Sequence, residues 1–314
     1  MARLHHVLVL GGTGFVGRHL IPRLSAAGHR VTVIARRRHE ARHLILLPTV
    51  QVVEGDPLDP RELDVRMRGV TAVVNLIGIL HEHGRETFAS VHAEGARKVV
   101  DACTRAGVAR LVHMSAINAD PAGPSLYLRS KGEAEAIVAA SGLAWTILRP
   151  SVMFGREDAF LNLFAKLLRL FPALALAAPD AKFAPIHVGD VAQCFAHALD
   201  DDATIGQRYN LCGPNVYTLE QLVRFVGEQT GRKRPILRLG PALSRLQARL
   251  LELVPGTPMT RDNLASMQRD AVCDGPFPPV FGIAPVALET TAPAWLTDES
   301  ARSRYDPLRA QGRR

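Results

Sequence analysis

Two spacings in this 314-residue sequence are of a kind that does chemistry. The first is Tyr127-Leu-Arg-Ser-Lys131. On a helix, residues four apart share a face, so the ammonium stands beside the phenol. A neighbouring cation favours phenolate and draws a tyrosine pKa down from about 10 toward neutrality, which suits proton transfer with a carbonyl–alcohol pair. With four tyrosines and five lysines in the chain, chance alone supplies about 0.06 such pairs. Ser115 follows an apolar run and is placed to hydrogen-bond the same oxygen. Ser115, Tyr127 and Lys131 are therefore the catalytic candidates.

The second spacing is Gly11-Gly-Thr13-Gly14-Phe15-Val16-Gly17. One glycine permits a tight turn, one lets backbone N–H groups approach a pyrophosphate, and one lets helix and strand pack closely. The helix that begins there presents its partial positive charge to the anion. Between the first strand and first helix of a βαβ unit this pattern marks a dinucleotide site, with Gly11, Thr13, Gly14, Phe15, Val16 and Gly17 as ligands. A P-loop is excluded, because Arg18-His19 stands where Lys and Ser/Thr are required. The acidic residue that would hold an unmodified ribose is absent after the second strand, where Arg36, Arg37 and Arg38 stand instead. Arg36 and Arg37 suit a 2′-phosphate, so NADP(H) is expected as the preferred cofactor and NAD(H) as the alternative. Asp56 is placed either to contact the adenine amine or to cap the turn before Pro57. Lys131 can also hold the nicotinamide ribose.

The elements that must position these residues alternate. Short apolar runs at His6–Leu10, Val31–Ile34, Val50–Val53, Ala72–Ile77, Arg110–Met114 and Ala144–Leu148 read as strands. Helical patterns lie between them, including Glu86–Ala106, ended by Gly107, and Ser125–Ala140. Near-continuous apolar strands alternating with helices predict a doubly wound parallel Rossmann sheet of class α/β over residues 1–150. From 151 to 297 helical stretches dominate, at 159–171, 189–199, 218–229 and 241–254. They predict a smaller, mainly helical substrate or partner lobe interleaved with the first domain. Residues 298–314 read as a disordered basic tail.

Hydrophobic residues make up 47% of the chain and charged residues 22%, enough apolar content to bury a sizeable core. The net charge is +8, but Arg302, Arg304, Arg309, Arg313 and Arg314 against Asp306 place half of it in residues 301–314. With 5% aromatic residues there is no stacking surface beside a basic stripe, so no nucleic-acid partner is expected. No metal is expected either: the cysteines show no C-x-x-C, and His81-Glu-His83 spans too few residues to share a helix face. Cys103, Cys194, Cys212 and Cys273 read as free, buried thiols of a reducing compartment. The most apolar stretch, 160–178, is broken by Lys166, Arg169 and Pro172, which argues against a membrane span. The N-terminus shows no secretory signal pattern. Two helical stripes stay open in meaning: Phe160, Leu161, Phe164, Leu167, Leu168 and Phe171, and Leu243, Leu246, Leu250 and Leu253. Each fits lobe packing over the cofactor cleft, the wall of an apolar substrate site, or a surface against a membrane or partner.

The glycine turn, Asn75-Leu-Ile77-Gly78, Ser115, the Tyr127/Lys131 pair and Arg149-Pro150 resemble the short-chain dehydrogenase/reductase superfamily in its extended or atypical branch. Leu148-Arg-Pro-Ser-Val-Met-Phe-Gly-Arg-Glu-Asp158, with Phe160-Leu-Asn-Leu-Phe164 after it, is similar to a narrower group. That group is the nucleotide-binding accessory-subunit family of respiratory complex I and its bacterial relatives. Pro185-Ile-His-Val-Gly-Asp190 and Tyr209-Asn-Leu-Cys-Gly213 resemble its second lobe. The resemblance implies a Rossmann domain holding NADP(H), contacts at Asn75, Ile77 and Gly78, and Pro150 and Ser151 near the nicotinamide. In the complex I member the cofactor is regarded as bound and non-transferring, and other relatives are linked to quinone biosynthesis. One position departs from the pattern: extended enzymes commonly carry Asn where His92 stands, so no proton relay is assigned there.

Two functions from different classes follow. One is an NADPH-dependent oxidoreductase acting on an apolar or quinone-like small molecule, in the cytoplasm and peripheral to the inner membrane. The other is a non-catalytic, cofactor-stabilised scaffold or assembly factor for a membrane respiratory or quinone-biosynthesis complex. A sugar-nucleotide epimerase or dehydratase is a third reading, without a sugar-specific signature in the sequence.

Overall fold

The computed structural model describes residues 4–253 and 259–297; the expected basic tail lies outside them. The first half of the chain runs β1 (His6–Leu10), α1 (Phe15–Ala26), β2 (Arg30–Ala35), β3 (Val50–Glu54), α2 (Pro60–Arg66), β4 (Ala72–Asn75), α3 (Glu94–Ala106), β5 (Arg110–Met114), α4 (Leu126–Ala139) and β6 (Ala144–Pro150). Then come β7 (Met153–Phe154), α5 (Phe160–Leu170), β8 (Leu174–Leu176), β9 (Lys182–Phe183), β10 (Ile186–His187), α6 (Val188–Asp200) and β11 (Gln207–Leu211). The last elements used below are β12 (Tyr217–Thr218), α7 (Leu219–Gln229), β13 (Ile236–Arg238), α8 (Pro241–Leu251) and α9 (Arg261–Ser266).

Contacts divide the described chain into two units. The first takes 4–151, 188–212 and 273–285. Its seven strands are all parallel, in the order β11-β6-β5-β4-β1-β2-β3. The order reverses at β1, which pairs with both β2 and β4, and such a reversal opens a crevice at the carboxyl ends of the strands. One face of the sheet, with Leu8, Leu10, Ile34, Val73, Leu111 and Ile147, is covered by apolar side chains of α2, α3 and α4. Val9 and Val33 point the other way, toward Ile21 of α1, and α1 packs on α6. A sheet buried on both faces explains why its strands read as continuous apolar runs. The fold is thus a Rossmann-like α/β sheet, with β11 as a seventh strand that the sequence patterns did not reveal.

Local signals set the helix limits. Ser125 caps α4 by accepting from the Leu128 N–H at 3.1 Å. Gly107 ends α3 in the left-handed conformation, φ 70°. The helix expected from Glu86 starts later. His83 and Glu86 exchange backbone hydrogen bonds, and a π turn over Ala89–Ala93 precedes α3. Such a wide turn shifts the side chains that follow it and is frequent at functional sites. His92 lies in it.

The cysteine reading needs correction. Cys212, just past β11, and Cys273 form a disulfide, with Cα atoms 5.9 Å apart. They lie 61 positions apart in sequence, so no local spacing announced the pair. The scatter of cysteines therefore gives no argument for a reducing compartment. Cys103 and Cys194 are buried thiols, and burial pushes Cys103 up to about 12 and Cys194 higher still.

The second unit takes 152–187, 213–272 without the undescribed residues, and 286–297. Leu161, Phe164 and Leu168 of α5 meet Leu222, Val223 and Val226 of α7 in its core. The inner part of the first apolar stripe is therefore this lobe's own core. Three two-stranded pairs, β7–β10, β8–β13 and β9–β12, brace it. Among the described residues no helix is long and apolar enough to cross a membrane.

Candidate functional site

The sequence candidates lie at the carboxyl ends of neighbouring strands in the first unit. Gly11 follows β1 with φ +75°, a conformation that L side chains rarely adopt. A Cβ there would stand 3.0 Å from the Leu76 carbonyl carbon, so the glycine also lets the turn pass close to the end of β4. Gly14 is the N-cap of α1 and has no side chain to satisfy the first N–H groups. The Gly14 N–H is held by the Gly11 carbonyl at 3.0 Å, and Phe15 and Val16, following Thr13 and Gly14, open α1 with N–H groups that no side chain caps, which suits a diphosphate. Gly17 lies against Gly12 so closely that any Cβ would overlap its backbone. The cradle fits a dinucleotide by shape and by donor set.

Arg36 and Arg37 follow β2, and both are exposed. Each already faces an acid. Arg36 pairs with Glu86, and Arg37 lies 3.7 Å from Glu40. Asp56 follows β3 and accepts from the Leu58 N–H at 2.9 Å. Of the two roles foreseen for Asp56, the turn cap is therefore present. Asn75 ends β4 sooner than expected, because its Oδ1 accepts from the Ile77 N–H at 3.1 Å and bends the backbone out of the strand. That bend carries Ile77 and Gly78 along the crevice. Pro150 ends β6, and Ser151 is buried beside it, its N–H bonded to the Leu211 carbonyl at 2.9 Å.

Ser115 follows β5, and its N–H is held by the Leu148 carbonyl at 2.8 Å. Its hydroxyl is buried, and among the described residues it has no hydrogen-bond partner. A buried hydroxyl left open costs stability, so an orphan at a strand terminus points to a missing partner such as a ligand oxygen. Lys131 of α4 is 3% exposed, and its ammonium reaches the Met114 carbonyl at 3.3 Å. The same ammonium would lie 3.0 Å from a Cβ on Gly78, so it stands where the ends of β4 and β5 meet. Ser115, Lys131 and the Asn75–Gly78 bend thus converge.

Sequence reasoning missed the support beneath Tyr127. Phe88, His92 and Tyr127 form an aromatic trio with ring centroids 5.6–5.7 Å apart. His92 Nε2 accepts from the Ile79 N–H at 3.1 Å, so its proton sits on Nδ1 and is donated to Ser130 Oγ at 2.8 Å. Ser130 Oγ in turn donates to the Tyr127 carbonyl at 2.9 Å. His92 therefore orients the tyrosine from below and ties it to the bend after β4. The one signal available was the departure from Asn at this position.

The electrostatics correct one expectation. The lysine was expected to lower the tyrosine pKa. In the folded chain burial instead pushes Tyr127 up to about 12. Tyr127 keeps some surface exposure yet lies deep in the fold, and the depth governs its phenol. Burial lowers Lys131 to about 8, with the Glu135 carboxylate opposing. Burial, and then the Lys131 charge, hold His92 down at about 2 and His113 at about 3, so both imidazoles are neutral. The site therefore holds a proton on the phenol and a buried ammonium poised close to neutrality. Among the described residues no group of three His, Cys, Asp or Glu is arranged to hold a metal ion.

Parallel strands, a glycine turn at the strand reversal and a Ser/Tyr/Lys set at the same edge define a dinucleotide-binding protein of the extended short-chain dehydrogenase/reductase type. A family model described as NAD(P)H-binding matches residues 11–202. The rat NADH dehydrogenase [ubiquinone] 1 alpha subcomplex subunit 9, mitochondrial, is 32% identical over 290 residues, covering 90% of this chain and 77% of that protein. A ceramide reductase from Caulobacter vibrioides is 34% identical over 188 residues, 59% of this chain and 58% of its own length. Among solved structures, a nucleoside-diphosphate-sugar epimerase from Staphylococcus aureus aligns with TM-score 0.69 over 90% of this chain and 98% of its own, at 17% identity, which shows the shared fold. The chain belongs to the NAD(P)H-binding family of complex I accessory subunits that includes subunit 9 of the alpha subcomplex.

Proposed function

We propose that this NAD(P)-binding protein is an NADP(H)-dependent oxidoreductase acting on the carbonyl or alcohol carbon of an apolar, quinone-like small molecule. The bound nicotinamide would supply or accept a hydride. The reading rests on the buried Ser115 hydroxyl, left open beside the Lys131 ammonium at the ends of β4 and β5. Ser115 orients the substrate oxygen, and Tyr127 holds or gives the proton at that oxygen. Lys131 offers its remaining N–H donors to the nicotinamide ribose and places positive charge near the phenol. Cofactor contacts are assigned to Gly11, Thr13, Gly14, Phe15, Val16, Gly17, Asp56, Asn75, Ile77, Gly78, Pro150 and Ser151. Arg36 and Arg37 receive the 2′-phosphate by exchanging their acidic partners for it. An apolar substrate agrees with the likeness to a ceramide reductase.

Native mass spectrometry of the purified chain tests the cofactor, and oxidation of that cofactor by quinones and ketones tests the chemistry. Tyr127→Phe should lower turnover by about 10²–10⁴-fold, the ordinary worth of a positioned acid/base group. Turnover unchanged in that variant overturns the catalytic reading. It would favour the second one, a cofactor-stabilised scaffold within a respiratory complex. That second reading is supported by the rat relative, which is named as a subunit of such a complex. In either case the protein works in the cytoplasm at the inner-membrane surface, with a respiratory complex as its partner.

A further inference from the structure

The helix α8 is turned inside out. Its buried positions are the small residues Ser244 and Ala248, one turn apart. Its leucines face solvent: Leu243 is 56% exposed, Leu246 52% and Leu250 56%, and Leu253 just beyond the helix is 80% exposed. At about 100° per residue, Leu243, Leu246 and Leu250 fall within about 60° of the helix circumference, opposite Ser244 and Ala248. A helix that served only its own lobe would show the reverse arrangement. The helix is anchored from beneath, where Gln247 Nε2 donates to the Ala175 carbonyl at 2.9 Å and Ser244 Oγ to the Leu239 carbonyl at 3.3 Å. On β13, just ahead of α8, Leu237 is exposed as well.

Charge borders this face on one side. Arg245 and Arg249 are exposed, one turn apart and next to the leucines. Neither makes an ion pair among the described residues. Nearby acids are already taken: Glu252 pairs with Arg261 at 2.7 Å, Asp180 with Arg238, and Glu220 with Arg224 at 2.6 Å. The surface is therefore apolar at its centre and cationic at its edge. A second copy of the chain is a poor occupant, because its own α8 face would bring the same two arginines and no unpaired acid to meet them. An anionic bilayer meets both requirements: its acyl boundary takes the leucines, and its phosphates take guanidinium groups whose stems lie along the helix.

We infer that α8 is the face by which this protein docks on an anionic phospholipid bilayer, leucines inserted and Arg245 and Arg249 on the headgroups. The inference deepens the membrane-peripheral part of the proposed function and rests on it. Flotation of the full-length protein with vesicles of phosphatidylcholine, with and without phosphatidylglycerol, tests it. The wild type should float with the anionic vesicles. Leu246→Glu/Leu250→Glu should cut the bound fraction by about tenfold or more, and Arg245→Gln/Arg249→Gln by about fivefold. NADPH uptake and far-UV circular dichroism should stay as in the wild type, which reports that the variants fold. If the leucine variant floats like the wild type and only salt releases it, charge elsewhere holds the membrane; the α8 assignment falls and the peripheral reading stands. If the wild type floats with neither vesicle, both fall. If the leucine variant instead dissolves a dimer seen by sedimentation, the face is a contact between copies and the inference is overturned.

Discussion

A buried cation stands near each end of strand β5, Arg110 on the strand itself and Lys131 on α4, and the two are treated differently. Arg110, at its amino end, makes four hydrogen bonds through its two terminal nitrogens, while its buried Nε has no partner among the described residues. It donates to the Ala144 carbonyl at 2.6 Å, Thr146 Oγ1 at 2.8 Å, Thr204 Oγ1 at 3.0 Å and the Ala198 carbonyl. Burial lowers it to about 10, with Asp202 and Asp201 opposing, so it stays charged. At the carboxyl end stands Lys131, whose ammonium reaches one carbonyl, on Met114, among the described residues. Nearby, the Ser115 hydroxyl has no hydrogen-bond partner among the described residues. Arg110 spends four hydrogen bonds inside the fold, whereas Lys131 is held there with most of its donors to spare. That difference supports the proposed site at the carboxyl end of the sheet independently of any motif.

Arg110→Ala is the most damaging way to probe the contrast. It strips two carbonyls and two threonine hydroxyls of a buried donor, and should cost about 3–4 kcal/mol in urea unfolding while leaving cofactor affinity unchanged. A loss below about 1 kcal/mol would show that the amino-end network is not a structural one.

Lys131→Met should act in the opposite sense. The folded pKa of Lys131, about 8, lies below its ordinary 10.5. Below pH 8 both states carry the proton, and the folded state bears the full cost of a buried cation. Between pH 8 and 10.5 the unfolded chain holds a proton that the folded chain has released, so stability rises with pH across that window. Tyr127 opposes this only above pH 10, where the unfolded phenol ionises first. Lys131→Met should therefore raise stability at pH 7 by about 2–3 kcal/mol, flatten the rise above pH 8 and weaken cofactor binding. Equal stability of the two proteins at pH 7 would make Lys131 a structural cation like Arg110.

The histidines under the site extend the test to acid. His92 and His113 are buried neutral, at about 2 and about 3 against an ordinary 6.5. Their contribution is fully present above pH 6.5 and is lost as pH falls toward those values, because the unfolded chain takes up protons that the folded chain refuses. Between pH 7 and 5.5 the two together should remove about 2 kcal/mol, and His92→Asn should halve that slope. Urea midpoints measured across this range decide it; a slope unchanged in His92→Asn would remove His92 from the set of buried neutral groups.

The sequence made the sheet and its glycine turn legible because both depend on neighbours in the chain: apolar runs buried on two faces, glycines within one turn, and an i, i+4 pair on α4. What escaped depends on distant contacts. Strand β11 pairs with β6 across some sixty residues and has three polar members in Gln207, Arg208 and Asn210, so it resembles no buried strand. The Cys212–Cys273 link has the same long reach. His92 meets Tyr127 only because the π turn rotates it inward, and the tyrosine pKa was misjudged because depth cannot be read from spacing. Helix α8 displayed its leucine stripe openly, but a stripe does not state which way it faces.

Arg36 and Arg37 lie between the two extremes of β5, being exposed and already paired with Glu86 and Glu40. Exposed pairs of this kind are worth at most about 1 kcal/mol, so a doubly charged phosphate can displace the carboxylates at small cost. Arg36→Ser/Arg37→Ser should weaken NADPH by about tenfold and leave NADH within about twofold, measured by calorimetry at modest salt. Glu86→Gln should act in reverse, tightening NADPH by releasing Arg36 from its partner. If NADPH and NADH weaken together in the serine variant, the arginines shape the end of β2 without reading the extra phosphate, and the preference for NADP(H) must come from another part of the crevice.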